Sequence, residues 1–332
     1  MSTSALRTAM IPVTRRVRAY FAPVDRVTGL PAVFDPAKHG MFLLDAPPAP
    51  WRDLGWIDNF QRTCATATEA IHAGARGATL TQFRGPLDAR VEFEFREWGK
   101  LQMALAGGAE HMNVLAADPN ADAQPSGGIP IPAVAVLPGS SESEVIFGQG
   151  AVDAFSIGDL LAIDVDYQQQ TGYVSTGVVA AYVKDPLDVR RDANYVRRVT
   201  FNVGRVVGKT ATSVLLAQPL LGGVPPVGAA AQKVTAFVDR EGGSFFQDWS
   251  ALFVLKEESG GRVCFYYPRL SPSAGGKDTV TFQRENSVEI AKPIASVALH
   301  ASFVALPHTD ENDTETVLCY RSYFPAETSA LY

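Results

Sequence analysis

The sequence has few of the features that disulfide-rich, secreted or membrane proteins require. Its three cysteines, Cys64, Cys264 and Cys319, are far apart and odd in number, so they indicate neither a disulfide framework nor a metal-ligand spacing. No apolar run approaches the roughly 18 residues that span a membrane, and the N-terminus lacks the apolar core of a signal peptide. We therefore expect buried free thiols, no membrane insertion and folding in a cytosol.

Motifs for catalysis and cofactor binding are also missing. The five histidines show no metal-ligand spacing, and there is no GxSxG nucleophile elbow. GKT at 208–210 resembles the end of a phosphate-binding loop, but the glycine required five positions earlier is Val203, and the flanks read as two strands. GQG at 148–150 lacks the third glycine of a dinucleotide fingerprint, because Asp153 stands there and no helix follows. We expect a hairpin turn at 208–210, no enzyme activity, and no cofactor or metal.

Carboxylates exceed basic residues, and one group of them resembles a metal site. The net charge of -6 disfavours tight binding to nucleic acid, whose partners normally carry a basic surface. Asp164 and Asp166 lie on one face of a predicted strand with Asp159 nearby, a set that can bind Ca²⁺ or serve acid–base chemistry. The following QQQTG lacks the glycine and glutamate of a calcium loop. We therefore interpret these aspartates as a solvated strand face.

The sequence is rich instead in strands and turns. Hydrophobic residues make up 46% of it, with 28 glycines and 22 prolines, as is typical of packed proteins built from many short strands. Residues 88–108 read as a strand followed directly by the one predicted helix. In the strand, apolar and charged residues alternate: Val91, Phe93 and Phe95 with Glu92, Glu94 and Arg96. In the helix, Trp98, Leu101 and Leu105 share one side, and a glycine pair ends it.

Changes in composition divide the chain into a β unit in two halves and an inserted β unit. The halves are 1–130, which includes an N-terminal arm and a long loop, and 236–332. Between them, 131–235 has several short strands with frequent turn signals, which predicts a small barrel or sandwich. The predicted fold class is therefore mainly β: a sandwich or barrel with one flanking α-helix, interrupted by a small β domain.

The long loop runs from Pro23 to Trp51, is rich in proline and contains an apolar island. The island consists of Met41, Phe42, Leu43 and Leu44. A loop this long inside a compact domain is uncommon and usually functional, and its island is unfavourable unless it packs on something. Two partners remain open: a neighbouring molecule, or the protein's own β unit.

Three segments carry a resemblance to a known family. They are LGWIDNF at 54–60, DARVEFEFREWGKLQMALAGG at 88–108 and LFVLKEESGGRVCFYYPRLSP at 252–272. With these segments the chain resembles the tail tube proteins, or major tail proteins, of tailed bacteriophages and prophages. The resemblance covers the two outer parts of the sequence, and the inserted unit departs from the minimal family pattern.

The resemblance implies a structural virion protein without cofactor. Its subunits close into rings, usually hexamers, and the rings stack into a tube that conducts the genome without binding it specifically. It implies assembly in the host cytoplasm, a final location in the phage tail, and partners among the tape measure, terminator and baseplate proteins. Under this interpretation the island Met41 to Leu44 contacts the next ring. Glu92 and Glu94 line the lumen or meet a neighbouring subunit.

Two other classes remain open. One is a different ring-forming tail or baseplate component, or the inner tube of a contractile injection device. The other is a carbohydrate-binding β protein that stacks sugars on its aromatic residues. Its candidate aromatic side chains are Phe265, Tyr266, Tyr267, Tyr320, Tyr323, Phe324 and Tyr332. The ring number, the contractile or non-contractile type of tail, the face that lines the lumen and the role of the inserted unit also stay open.

Overall fold

A computed structural model describes most of the chain. The described part comprises residues 16–25, 28–73, 78–108, 110–116, 118, 120, 131–165, 172–175, 180–183, 200–240, 247–258, 260–273, 277–283, 294–310 and 313–326. The regular elements are β1 (Val17–Pro23), β2 (Arg52–Ala73), β3 (Ala78–Phe95), α1 (Lys100–Gly107), β4 (Glu110–Leu115), β5 (Val134–Ala135), β6 (Glu144–Ile146), β7 (Leu160–Val165), β8 (Gly172–Ser175), β9 (Ala180–Val183), β10 (Val203–Lys209), β11 (Ser213–Leu216), β12 (Ala229–Arg240), β13 (Trp249–Lys256), β14 (Arg262–Pro272), β15 (Lys277–Gln283), β16 (Ile294–Ala305), β17 (His308–Thr309), β18 (Thr316–Val317) and β19 (Tyr320–Phe324), with 3₁₀ turns at Pro36–Met41 and Ala151–Ala154.

Six antiparallel strands form a closed barrel. The order is β16, β3, β2, β1, β13 and β14, and β14 pairs back with β16. Aromatic side chains fill the barrel: Phe93 stacks on Phe303 with ring centroids 5.7 Å apart, and Phe21 meets Phe253 edge-on at 5.8 Å. Such pairs contribute about 0.5–1.5 kcal/mol each beyond their buried area. The predicted fold class, mainly β with one flanking α-helix, is confirmed.

The hairpin of β2 and β3 is longer than the sequence predicted. The sequence predicts separate short strands at 55–60, 66–70, 78–84 and 89–96. Instead β3 has one extra residue between Leu87, which pairs with Thr66, and Arg84, which pairs with Thr68. This bulge contains Pro86, so no ladder hydrogen bond is lost to its missing N–H.

The LGWIDNF segment bends β2 so that it joins the barrel. Two further bulges each insert one extra residue into β2, one against β1 and one against β3. Gly55 and Asn59 lie at these bulges with positive φ angles of 80° and 52°. Glycine and asparagine tolerate such angles better than other residues, which is why this short polar stretch can interrupt a long strand without ending it.

The inserted β unit is a second, smaller barrel. β12, β7, β10, β11 and β6 pair in that order, β5 pairs with β12, and a bridge between Val136 and Phe147 joins β5 to the end of β6. Its core is apolar and includes Val145, Phe147 and Leu161. Because β4 pairs with β12 as far as Glu110 with Arg240, this sheet has wider bounds than the predicted 131–235.

The helix and the inserted unit close one end of the first barrel. Leu105 of α1 is buried, and Phe201 of the inserted unit meets Trp249 of β13 edge-on at 5.2 Å. The helix ends at Gly108, which has φ 53° and donates its N–H to the Ala104 carbonyl, as its glycine pair predicted. The expected place of Trp98 in the helix is wrong. The backbone is extended at Gly99, so the helix begins at Lys100, and Trp98 before it is half exposed.

Candidate assembly surfaces

The outer face of β2, β3 and β16 is polar. Because Val91, Phe93 and Phe95 point into the core, the residues between them point outward. Cross-strand pairing places the outward residues in two rows: Asp58, Glu94 and His300, then Gln61, Glu92 and Ser302. Glu92 and Glu94 are therefore neighbours on one half-exposed face. Their role in a lumen or a subunit contact stays a prediction.

Local contacts hold this face in place. Arg96 donates two hydrogen bonds to the Asp58 carboxylate, at 2.6 and 2.5 Å, and Asn59 donates from Nδ2 to Glu94 Oε2 at 2.9 Å. The Arg96–Asp58 pair is more than two-fifths exposed, so it contributes at most about 1 kcal/mol. The face remains acidic, since Glu92 and Glu94 form no ion pair with a described residue.

The opposite outer face, on β1, β13 and β14, is apolar and covered. The loop between β1 and β2 lies over it as a second layer. The Tyr20 hydroxyl donates to the Leu44 carbonyl at 2.9 Å, and the Tyr266 hydroxyl donates to the Ala32 carbonyl at 2.8 Å. Burial raises the pKa of both tyrosines, so their hydroxyls keep their protons. The long loop is thus part of the subunit's own core.

The apolar island divides between this core and the surface. Phe42 is buried, with ring centroids 5.1 Å from Tyr20, 5.7 Å from Phe34 and 5.9 Å from Trp51. Leu44 is half-buried against the same cluster, whereas Leu43 is 59% exposed. The side chain of Met41 lies outside the described residues. Phe42 thus packs on its own β unit, and Leu43 is the described island side chain that is left exposed. The inter-ring role of the island stays a prediction.

A two-stranded ribbon projects from one end of the barrel. β1 pairs with β2 only as far as Ile57, and β16 pairs with β3 only as far as Arg90. Beyond those points β2 and β3 pair with each other alone, and no described strand covers either long edge. At about 3.4 Å per residue, the eight residues from 66 to 73 extend roughly 25 Å. This segment is the β2–β3 ribbon.

The β2–β3 ribbon carries exposed apolar side chains on both faces. Phe83 is 57% exposed and Leu87 is 49% exposed. Leu87 pairs with Thr66 and Phe83 with Glu69, three positions apart on β2, so the two side chains lie on opposite faces. A ribbon of two strands is marginally stable in water by itself. Both its backbone edges and its apolar side chains are therefore suited to a partner.

A second, shorter ribbon projects from the other end. β15 pairs with residues 294–300 of β16, but β3 reaches β16 only from Leu299 onward. Because β3 and β16 are antiparallel, this β15–β16 ribbon points away from the β2–β3 ribbon. Strand edges that no described strand covers thus lie at both ends of the barrel. The sequence has a signal for the first ribbon that sequence reasoning missed: from Thr63 to Ala70, TCATATEA offers no apolar face to a core.

A half-buried cation lies at the base of the β2–β3 ribbon. The Arg62 guanidinium is 4.4 Å from the centroid of Phe265 and donates from Nε to the Tyr267 hydroxyl at 2.8 Å and from Nη2 to Cys319 Sγ at 3.8 Å. Burial raises the pKa of Tyr267 to about 12, so its hydroxyl is neutral while it accepts this bond. Sequence reasoning missed Arg62, because a single arginine in a polar strand carries no pattern.

The segments that resembled cofactor sites have structural roles. GKT at 208–210 is a hairpin turn between β10 and β11, closed by a bond from the Thr210 N–H to the Ser213 carbonyl, as predicted. GQG at 148–150 leads into a 3₁₀ turn of four residues whose Val152 is buried in the core of the inserted unit. Among the described residues, no group of three or more potential ligands is placed to hold a metal ion.

The aspartates of the inserted unit are corrected. Asp164 is fully buried and accepts a hydrogen bond from Thr200 Oγ1 at 2.8 Å, so it is not on a solvated face. Asp159 forms an ion pair with Lys233 at 2.7 Å, and Asp166 lies outside the described residues. A buried carboxylate without a bond partner is costly, and Thr200 supplies the bond. Thr200 also accepts bonds from Lys100 of α1 and Asn113 of β4 at its carbonyl, so this cluster joins the inserted unit to the helix.

The aromatic side chains near the C-terminus differ in their exposure to solvent. Tyr266 and Tyr267 are buried, which removes these two from the sugar-binding alternative. Phe265, Tyr320 and Phe324 are half-buried, and Tyr332 lies outside the described residues. Tyr323 is 46% exposed.

The cysteines differ in exposure. Cys264 is buried, and desolvation raises the pKa of its thiol to about 11. Cys64 is exposed, against expectation, because β1 no longer covers β2 there.

Comparison with protein-family models finds no match to this chain, and comparison with curated proteins finds none either. In the part of the chain that the structure describes, no helix has the length and apolar composition needed to cross a membrane.

Proposed function

We propose that the protein is a structural subunit of a phage-type tail tube, which associates with copies of itself into rings that stack along one axis. The observation that carries the proposal is the pair of ribbons at opposite ends of one closed barrel. Open strand edges are templates for pairing with another chain, and natural proteins normally cover them. Here the two ribbons have long edges that no described strand covers.

The arrangement favours growth along an axis. A contact between one end of a subunit and the opposite end of the next is heterologous, and it repeats without limit unless a rotation closes it. The barrel supplies a rigid body between the two ends, since its core aromatic residues are fully buried. In the proposed assembly the β2–β3 ribbon of one subunit reaches a neighbour, and ring closure covers the remaining edges.

The polar outer face suits a conduit for DNA. The pair Glu92 and Glu94 repels phosphate groups, and a lumen lined by such pairs lets a polyanion slide rather than bind. In the proposed tube this face lines the lumen or the subunit boundary beside it. The partners proposed with this role are further tail proteins such as the tape measure, terminator and baseplate, and the proposed location is the virion.

Negative-stain electron microscopy of the purified protein, with and without a tail initiation complex, tests the proposal. We expect stacked rings or long tubes. Replacing residues 66–87 with a two-residue turn removes the β2–β3 ribbon and leaves the barrel pairs intact, so we expect a folded subunit that forms no tubes. Single rings would favour a terminator or baseplate component. A monomer in every condition would contradict the proposal.

A further inference from the structure

Arg62 is a partly buried cation without a counter-ion among the residues that the structure describes. No described carboxylate lies within 4.0 Å of its guanidinium, and its hydrogen-bond partners, a phenol and a thiol, are neutral. Its cross-strand neighbour is Val91. Placing a charge partly out of water costs free energy that neutral partners offset only in part.

Other arginines of this barrel have carboxylate partners or lie where the two barrels meet. Arg18 bonds the carboxylates of Asp53 and Asp45, and Arg269 forms an ion pair with Asp248 at 2.6 Å. Arg52 forms no ion pair with a described carboxylate, but it lies where the two barrels meet, is attracted by the charge of Glu142 and donates to the Pro219 carbonyl. Arg62 lies at the open end instead, five residues beyond the last β1 pair. Its Nη1 has no partner among the described residues.

We propose that Arg62 and the Phe265 ring beneath it form a receptor for a carboxylate side chain of a second copy of this chain. The guanidinium still has donors free for a bidentate bond to a carboxylate, and stacking on Phe265 holds its plane fixed. The inference rests on the proposed self-assembly, because it names a contact that the assembly makes.

Position and charge favour a second copy as the source. A partner that covers the β2–β3 ribbon also lies over its base, where Arg62 is. The chain carries 35 acidic against 29 basic residues, so a copy brings an excess of carboxylates to that point. Cys64 is two residues away on the same face of β2 and is exposed, so the same contact covers its thiol.

The test compares Arg62→Met with Arg62→Lys and with Arg90→Met as the matched control. Arg90 lies on the same hairpin but already pairs with Asp88 of its own subunit at 3.3 Å. Sedimentation velocity measures association at low and high salt, after thermal melts establish that each variant is folded. We expect Arg62→Met to weaken association about tenfold or more and to flatten its salt dependence. The association of Arg62→Lys should be intermediate in strength between the wild type and Arg62→Met. The association of Arg90→Met should equal that of the wild type.

Thiol labelling of the wild type gives a second readout that needs no variant. Cys64 should react rapidly in the free subunit and slowly in the assembly. If tubes form and Cys64 still reacts rapidly in them, the receptor is overturned and the tube proposal stays intact. The same conclusion follows if tubes form and Arg62→Met associates with the affinity and salt dependence of the wild type. Salt-sensitive dimers that need Arg62 but never form rings support the receptor and contradict the tube. A wild type that stays monomeric contradicts both.

Discussion

The two halves of the β2–β3 hairpin belong to the same strands but lie in opposite environments. In the barrel half, Val91, Phe93 and Phe95 are at most 1% exposed. In the ribbon half, Phe83 is 57% exposed and Leu87 is 49% exposed. In the barrel half, β16 flanks β3 from Arg90 to Phe95 and β1 flanks β2 as far as Ile57, whereas no described strand flanks the ribbon half.

This difference shows which part of the hairpin the subunit stabilises by itself. Ordering one residue costs about 1–2 kcal/mol of backbone entropy, and burying a large apolar side chain returns about 1.5–3 kcal/mol. The barrel half meets that cost with side chains that the subunit buries. The described side chains of the ribbon half lack such burial within the subunit, and in the proposed assembly a partner molecule supplies it.

The largest expected effect is in the barrel half. Phe93→Ala removes a ring that packs on Phe21, Phe95, Phe253 and Phe303. We expect a loss of about 4–5 kcal/mol in the free energy of unfolding, because the cavity is enclosed on all sides. Urea denaturation of the isolated subunit measures it. A loss below about 1 kcal/mol would mean that the barrel core is not packed as described.

A smaller effect is expected in the loop that covers β1 and β13. Phe42→Ala should cost about 3 kcal/mol, since the surrounding loop can relax into part of the cavity. The matched change Leu43→Ala, at the exposed neighbour, should stay within about 0.5 kcal/mol of the wild type. Thermal melts of both isolated variants decide the matter. If Phe42→Ala kept full stability but stopped tube growth, the island would be an inter-ring contact after all.

The smallest effect on stability is expected in the ribbon half. The double change Phe83→Ser and Leu87→Ser should alter the free energy of unfolding by no more than about 0.5 kcal/mol, because both residues are about half exposed to solvent and lie outside the core. Assembly should nevertheless be lost or strongly weakened, which electron microscopy and sedimentation measure. If the folded variant assembles normally, the side chains of Phe83 and Leu87 do not contribute to assembly. The ribbon would then contribute through its backbone edges alone.

The sequence predicted the barrel half well and the ribbon half poorly. Alternation of Val91, Phe93 and Phe95 with charged residues identified the core face, and the glycine pair after Leu105 identified the end of the helix. Those signals work because core burial imposes a period on the residues. The described side chains of the ribbon show no buried face, so its sequence predicted only short strands, at 66–70 and 78–84.

Other features depend on contacts distant in sequence. Nothing near Phe42 indicates that Tyr20 and Trp51 enclose it, and nothing near Asp164 indicates the bond from Thr200. The island was therefore left with two possible partners, and the aspartate was placed in solvent. The wider bounds of the inserted unit follow from the pairing of β4 with β12, which a composition shift does not detect.

Hydrogen exchange of the hairpin amides tests the central claim most directly. In the free subunit, amides of the barrel half should exchange slowly, while the outward-facing amides of 66–73 and 78–87 should exchange almost freely. In the assembled particle we expect the same ribbon amides to slow by about a hundredfold or more, toward the rates of the barrel half. Ribbon amides that exchange as fast in assembled particles as in free subunits would contradict the claim that a second copy pairs with this ribbon.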